Sequence, residues 1–212
     1  QTALMSGIEV VAAADGVTDN VFAARTIAGA RARTPVLTDG AEATARAIAR
    51  GELAVTRSFR DICATDGVDV VIDATGNPNV GAEVALATID AGKHIVMMNV
   101  EADVTIGAYL AAKAADAGVV YTLGAGDEPS STMELINFVR GLGYPIVAAG
   151  KGKNNAFRID ATPDAYVDEA KRRNMNPRML VEFVDGSKTM VEMVAIANAT
   201  GLVPDKPGMH VP

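Results

Sequence analysis

Two adjacent carboxylates, Asp127 and Glu128, lie in the run Gly124-Ala-Gly-Asp-Glu-Pro-Ser-Ser131, just ahead of a helical stretch. Such a pair either complements the positive end of the helix dipole or works at a crevice as metal ligands or as general acid and base. Gly150-Lys-Gly-Lys-Asn-Asn155 is a second unusual run, in which Lys151 and Lys153 alternate with glycine and Asn154 and Asn155 follow. It is sparse in packing groups and rich in donors. That suits a phosphate or carboxylate; the alternative is a solvated loop. A third set lies between Val181 and Ile196. Read as one continuous helix at about 100° per residue, this stretch brings Asp185, Lys188 and Glu192 within about 60° of each other on one face. With Phe183, Val184, Val191, Val194 and Ile196 around them, they form either a solvated stripe or the wet wall of an active site.

Two further groups suit a nucleotide cofactor. Ile8 to Ala14 reads as a short buried strand, and Asp15 follows where a ribose-binding acid belongs in a dinucleotide fold. A carboxylate there accepts from a free ribose 2′-OH and repels a 2′-phosphate, which leans to NAD over NADP. The strand Gly67–Gly76 ends in Asp73, Ala74, Thr75, Gly76, Asn77 and Pro78. At the C-terminal edge of an open parallel sheet such a turn faces the ligand crevice, with Gly76 allowing close approach and Thr75 and Asn77 offering polar contacts; an ordinary tight turn is the alternative. Asn99 and Glu101 follow the next strand on the same edge.

The elements that must position these residues alternate along the chain. Strands are predicted at 8–15, 67–76, 93–99, 119–123 and 144–149, and helices at 19–31, 41–50, 79–91, 104–117 and 130–142. This alternation indicates βαβ units and a doubly wound, Rossmann-like parallel α/β sheet. No GxGxxG is present, so the first strand and its phosphate-binding loop are expected ahead of Gln1. After about residue 150 the pattern changes to a polar loop, a charged helix over 164–173 and a longer helix over 178–200. Residues 1–149 are read as a dinucleotide-binding domain incomplete at its N-terminus. Residues 150–212 are read as the start of an α/β catalytic region incomplete at its C-terminus.

Composition excludes several classes. The 212 residues are 49% hydrophobic, with a net charge of −7 and one cysteine, Cys63. No apolar run reaches the roughly 18 residues of a membrane span. The acidic balance argues against nucleic acid, and a lone cysteine excludes a disulfide framework. A cytoplasmic homo-oligomeric enzyme with a small-molecule substrate is expected. His94 and His210 carry little signal, and no zinc spacing, GxSxG or P-loop occurs.

Together, Asp73–Pro78, His94–Gly107, Gly124–Ser131, Gly150–Asn155, Asp160-Ala-Thr-Pro-Asp164 and Phe183–Met193 resemble the DXR-like (DRL) proteins, homoserine-dehydrogenase-like oxidoreductases with a C-terminal SAF domain. The resemblance implies conversion of 1-deoxy-D-xylulose 5-phosphate to 2-C-methyl-D-erythritol 4-phosphate, in isoprenoid biosynthesis, with NADPH and a divalent Mg or Mn ion. On that reading Asp127 and Glu128, with Asp185 and Glu192, hold the metal. Lys151, Lys153, Asn154 and Asn155 take the phosphate, and Thr75–Pro78 with Asn99 line the nicotinamide. Two alternatives stand beside it: a homoserine-dehydrogenase-type oxidoreductase of a small hydroxy compound with Lys188 as proton shuttle, and a non-catalytic dinucleotide-binding sensor.

Overall fold

The computed structural model describes residues 5–29, 32–152 and 155–210. Lys153 and Asn154 of the cationic loop, and the start of the chain, lie outside them. The chain divides into two compact units, Gln1–Met97 with Ala108–Thr122, and Met98–Gly107 with Leu123–Pro212.

Among the described residues of the first unit, every strand pairing with a stated register is parallel, as the βαβ alternation predicts. Strands β1 (Ala12–Ala14), β2 (Pro35–Leu37) and β3 (Leu53–Thr56) form one sheet in the order β1-β3-β2. β4 (Val70–Asp73), β5 (His94–Met97) and β6 (Tyr121–Leu123) form another in the order β4-β5-β6. All four residues of β3 are buried, as a central parallel strand requires. β5 buries Ile95 and Met97 completely, each a contribution of about 1.5–3 kcal/mol. Helices α1 (Asp19–Ala28), α2 (Ala41–Ala49), α3 (Phe59–Cys63) and α4 (Pro78–Asp90) connect the strands. The Val84, Ala85 and Ile89 side of α4 is buried, and α4 packs on β4 and β5. Helix α5 (Val100–Ala117) gives its first turns to the second unit and the rest to the first.

In the second unit, α6 (Glu128–Gly141) is followed by a 3-10 turn (Pro163–Tyr166), α7 (Val167–Arg172), α8 (Pro177–Asp185) and α9 (Ser187–Thr200). Leu180, Val181, Val184, Ala195 and Ile196 build its core.

Several sequence expectations change. The first strand is shorter than 8–15, because Ile8 and Val10 remain half-exposed and the ladder to β3 begins only at Ala12. Strands β2 and β3, three and four residues long, escape periodicity altogether. The run 144–149 is not a strand: Val147 is 92% exposed and the run joins no ladder among the described residues. The helix expected over 178–200 is two helices. Gly186 between them has φ 90°, a left-handed conformation that ends α8 and cannot continue it. A Cβ at Gly186 would meet the Phe157 ring at 2.8 Å, so glycine is also the residue that fits.

Candidate functional site

The nucleotide-side candidates Asp15 and Ala74 to Pro78 belong to the first unit. Asp15 follows β1; its Oδ1 accepts the Val17 N–H at 2.8 Å and its Oδ2 accepts from Asn20 Nδ2 at 3.2 Å. These bonds fix the carboxylate at the strand's C-terminal end and leave lone pairs for a ligand hydroxyl. Asp73, the last residue of β4, is buried; one oxygen accepts the Thr75 N–H at 3.1 Å and the other has no partner among the described residues. Ala74, Thr75, Gly76, Asn77 and Pro78 are exposed. Gly76 has φ 64° with open space where a Cβ would stand. Asn77 is the N-cap of α4: its side-chain oxygen accepts from the Asn79 and Val80 N–H groups at 3.0 and 3.2 Å, and Pro78 fills the first helical position. The turn is thus a capped helix N-terminus as well as a strand end, a place that favours an anionic or hydroxylated ligand.

All the other candidates belong to the second unit. Asn99 is buried, and its Oδ1 accepts from the Ala102 N–H at 3.2 Å at the start of α5. This holds the first turn that carries Glu101. Lys188, in the first turn of α9, donates from Nζ to Glu101 Oε1 at 2.8 Å, and both side chains are mostly shielded from solvent. Lys151 donates to Glu128 Oε1 at 3.0 Å and pairs with Glu192, whose side chain is only 1% exposed. Asp127, Glu128 and Glu192 each bring a carboxylate oxygen within 4.8 Å of the others. The sequence pair Asp127–Glu128 therefore acquires a third member from α9, and Lys151 is the counter-charge among them.

Charge and burial compete in this cluster. Burial pushes Glu128 up, but the hydrogen bonds it accepts from Lys151 and Asp127 outweigh it and hold the carboxyl at about 2. Burial, with the shared hydrogen bond to Glu128, raises Asp127. Burial raises Glu192 too, against the opposing pull of Lys151. Burial lowers Lys151, yet its bonds to Glu192 and Glu128 prevail and raise it, so its ammonium is firmly charged. Burial and the neighbouring Glu101 raise Glu182, with Lys188 opposing.

A cavity of about 650 Å³ opens beside this cluster, lined by Glu128, Lys151, Gly152, Asn155, Arg173, Met175, Leu180, Phe183, Lys188 and Thr189. Its size suits a small ligand. The expectation of one face bearing Asp185, Lys188 and Glu192 is corrected here. Lys188 and Glu192 share α9, one turn apart, but Asp185 ends α8 across the Gly186 break. Its Oδ1 accepts the Ser187 N–H at 2.8 Å, a turn-holding bond at the start of α9. Arg173 and Glu182 were not singled out in the sequence. For Arg173 a signal existed: Lys171-Arg172-Arg173 is the one run of three consecutive cations in the chain. For Glu182 there was none, since its role depends on Glu101, far away in sequence.

Residues 7–123 match the family model for the homoserine dehydrogenase NAD-binding domain, and residues 126–212 match that for the catalytic domain of oxidoreductase DRL. None of the curated proteins matches the chain. Among solved structures, similarity extends to the WlbA dehydrogenase of Bordetella pertussis in complex with NADH and UDP-GlcNAcA (18% identity, 64% of this chain and 43% of that one, TM-score 0.37). It extends also to biliverdin reductase from Synechocystis in complex with biliverdin and NADP+ (19%, 62% and 41%, 0.33). An NAD-binding oxidoreductase from Klebsiella pneumoniae is a third (20%, 60% and 35%, 0.36). The chain spans less than half the length of each of these proteins. Among the described residues no helix is long and apolar enough to cross a membrane.

Proposed function

Since the chain belongs, over residues 7–123, to the homoserine dehydrogenase NAD-binding domain family, we propose that it is part of an NAD(P)-dependent oxidoreductase whose chemistry is run by the acid–lysine cluster of the second unit. The observation that carries this reading is Lys188, held by Glu101 at 2.8 Å, in the wall of a 650 Å³ cavity. Oxidation or reduction at a carbinol carbon needs a proton taken from or given to its oxygen, and a positioned ammonium does that. A bound nicotinamide supplies the hydride donor or acceptor. Asp15 is the residue for the ribose hydroxyls, with NAD as the preferred form, and the turn from Ala74 to Pro78 is the nicotinamide-side wall.

The finer proposal is a reductoisomerase acting on a ketose phosphate, from 1-deoxy-D-xylulose 5-phosphate to 2-C-methyl-D-erythritol 4-phosphate. The match of residues 126–212 to the DRL catalytic domain supports it. So does the donor set: three carboxylates, Asp127, Glu128 and Glu192, with oxygens within 4.8 Å of one another suit a hard divalent cation such as Mg²⁺ or Mn²⁺. Such an ion, when bound, polarises adjacent substrate oxygens. Lys151 pairs with both Glu128 and Glu192, and Asn155 lines the same cavity, which supports a phosphorylated substrate there. The setting proposed is a cytoplasmic homo-oligomer.

A second reading, oxidation of a small hydroxy compound as in homoserine dehydrogenase, is favoured by the Lys188–Glu101 pair, which needs no metal. A cofactor-oxidation screen of the full-length protein with sugar phosphates and hydroxy acids, with and without Mn²⁺, separates the two. Metal-dependent turnover of deoxyxylulose phosphate supports the first and metal-free turnover of an alcohol the second. No nicotinamide turnover with any compound sinks both.

A further inference from the structure

We propose that Arg173 is the specificity-determining residue for the anionic group of the substrate, and that this group is a phosphate bound on the Arg173 side of the cavity. The proposal rests on the reading of this cavity as the substrate site. Lys151 and Lys188, the two shielded cations of the lining, are 19% and 18% exposed, and both are already committed to carboxylates. Around them stand four carboxylates, Glu101, Asp127, Glu128 and Glu192, against two ammoniums. Both ammoniums are thus held by protein carboxylates before any anionic ligand arrives.

Arg173 differs from these two lysines. It is 51% exposed and pairs with Glu169 at 2.5 Å, an i,i+4 contact on the surface of its own segment. Such a pair is worth only a few tenths of a kcal/mol and gives way readily. The guanidinium can then turn its planar fork to a phosphate and bind it through two parallel N–H···O bonds. Arg173 is also the last of three consecutive cations, Lys171, Arg172 and Arg173, and the one of the three whose side chain lines the cavity. A substrate with a phosphate at one end and vicinal oxygens at the other would meet both Arg173 and Glu128, which line the same cavity.

A purely structural role exists for the same residues, because cations at the end of α7 complement its dipole. Arg172 shares that role but not the cavity, and this separates the two explanations. The test is a calorimetric titration of the full-length protein with inorganic phosphate at fixed ionic strength, for the parent, Arg173→Gln, Arg173→Lys and Arg172→Gln. Arg173→Gln is expected to weaken phosphate binding roughly tenfold or more, Arg173→Lys less, and Arg172→Gln less than about twofold. With the phosphorylated substrate the loss should fall on KM and leave kcat nearly unchanged. Equal losses in Arg172→Gln and Arg173→Gln, no loss in either, or no phosphate binding by the parent overturns the proposal. NAD(H) binding is followed in the same proteins by cofactor fluorescence. Its absence would count against the oxidoreductase reading and leave the phosphate titration to stand by itself.

Discussion

Lys188 and Glu101 are 87 positions apart in the chain, yet Lys188 Nζ donates to Glu101 Oε1 at 2.8 Å. The two halves of this pair come from the first turns of α9 and α5. Glu101 in turn is held by the Asn99 cap at the start of α5. A lysine held in this way suits the proton-donor role proposed for it. Lys188→Met is expected to lower kcat by roughly 10²–10⁴ with the fold intact, and Glu101→Gln by less. Steady-state nicotinamide oxidation together with far-UV circular dichroism checks both; full activity in Lys188→Met removes the lysine from the mechanism.

The Lys151–Glu192 pair has one member almost fully buried. Deleting only the cation leaves an uncompensated carboxylate, so Lys151→Met should destabilise by about 3 kcal/mol. The double variant Lys151→Met/Glu192→Leu should recover most of that loss, since it removes both charges. Urea denaturation of the two proteins is the measurement, and an unrecovered loss would mean that packing, not charge, sets the cost.

Stability should depend on pH through Glu182. Burial, then Glu101, holds its carboxyl above the ordinary value of 4.5 in the folded protein. The folded state therefore favours the protonated form. The stability this provides is complete below 4.5 and is lost as pH rises through the native value. Glu182→Gln should match the parent near about pH 4 and melt higher near about pH 7. Thermal scans across that range decide it, and parallel curves for the two proteins would refute the assignment.

Gly186 joins α8 to α9 at φ 90°, with the Phe157 ring at 2.8 Å from where a Cβ would stand. Gly186→Ala should cost about 1–2 kcal/mol for the left-handed backbone alone, plus the shift of the ring. Because Lys188 lies two residues on, kcat should fall along with stability. A variant that loses stability with unaltered kcat would show that the junction does not position the lysine.

Asp15 offers a test of cofactor choice. Asp15→Ser removes the charge that repels a 2′-phosphate and should shift the NADP/NAD preference by about tenfold towards NADP. Dissociation constants for the two oxidised cofactors, measured on the full-length protein, check the direction.

Much of this was legible in the sequence. The βαβ alternation sets the parallel pairing, because short β-branched runs between alanine-rich helices have few other ways to bury themselves. The helix expected over 79–91 lies within one residue of α4 at each end, and the acidic pair at 127–128 was visible as a cluster of charge. The apolar run 144–149 misled, because periodicity reports what a segment could bury, not whether a partner strand exists. The single helix over 178–200 misled for a related reason. An isolated glycine inside a helical pattern is tolerated by propensity, and only the close approach of Phe157 and the left-handed φ at Gly186 reveal the break.

What the sequence determined alone is what local chemistry determines: element type, caps, net charge and which residues could titrate. Only the tertiary structure decided which of them meet. Glu101 reads as part of a strand-end turn and becomes the partner of Lys188, while Glu192 leaves its helical neighbour Asp185 and joins Asp127 and Glu128. Ion pairs act over a few ångströms through space and are blind to separation along the chain. Their membership is therefore fixed by packing, and no spacing rule could have supplied it.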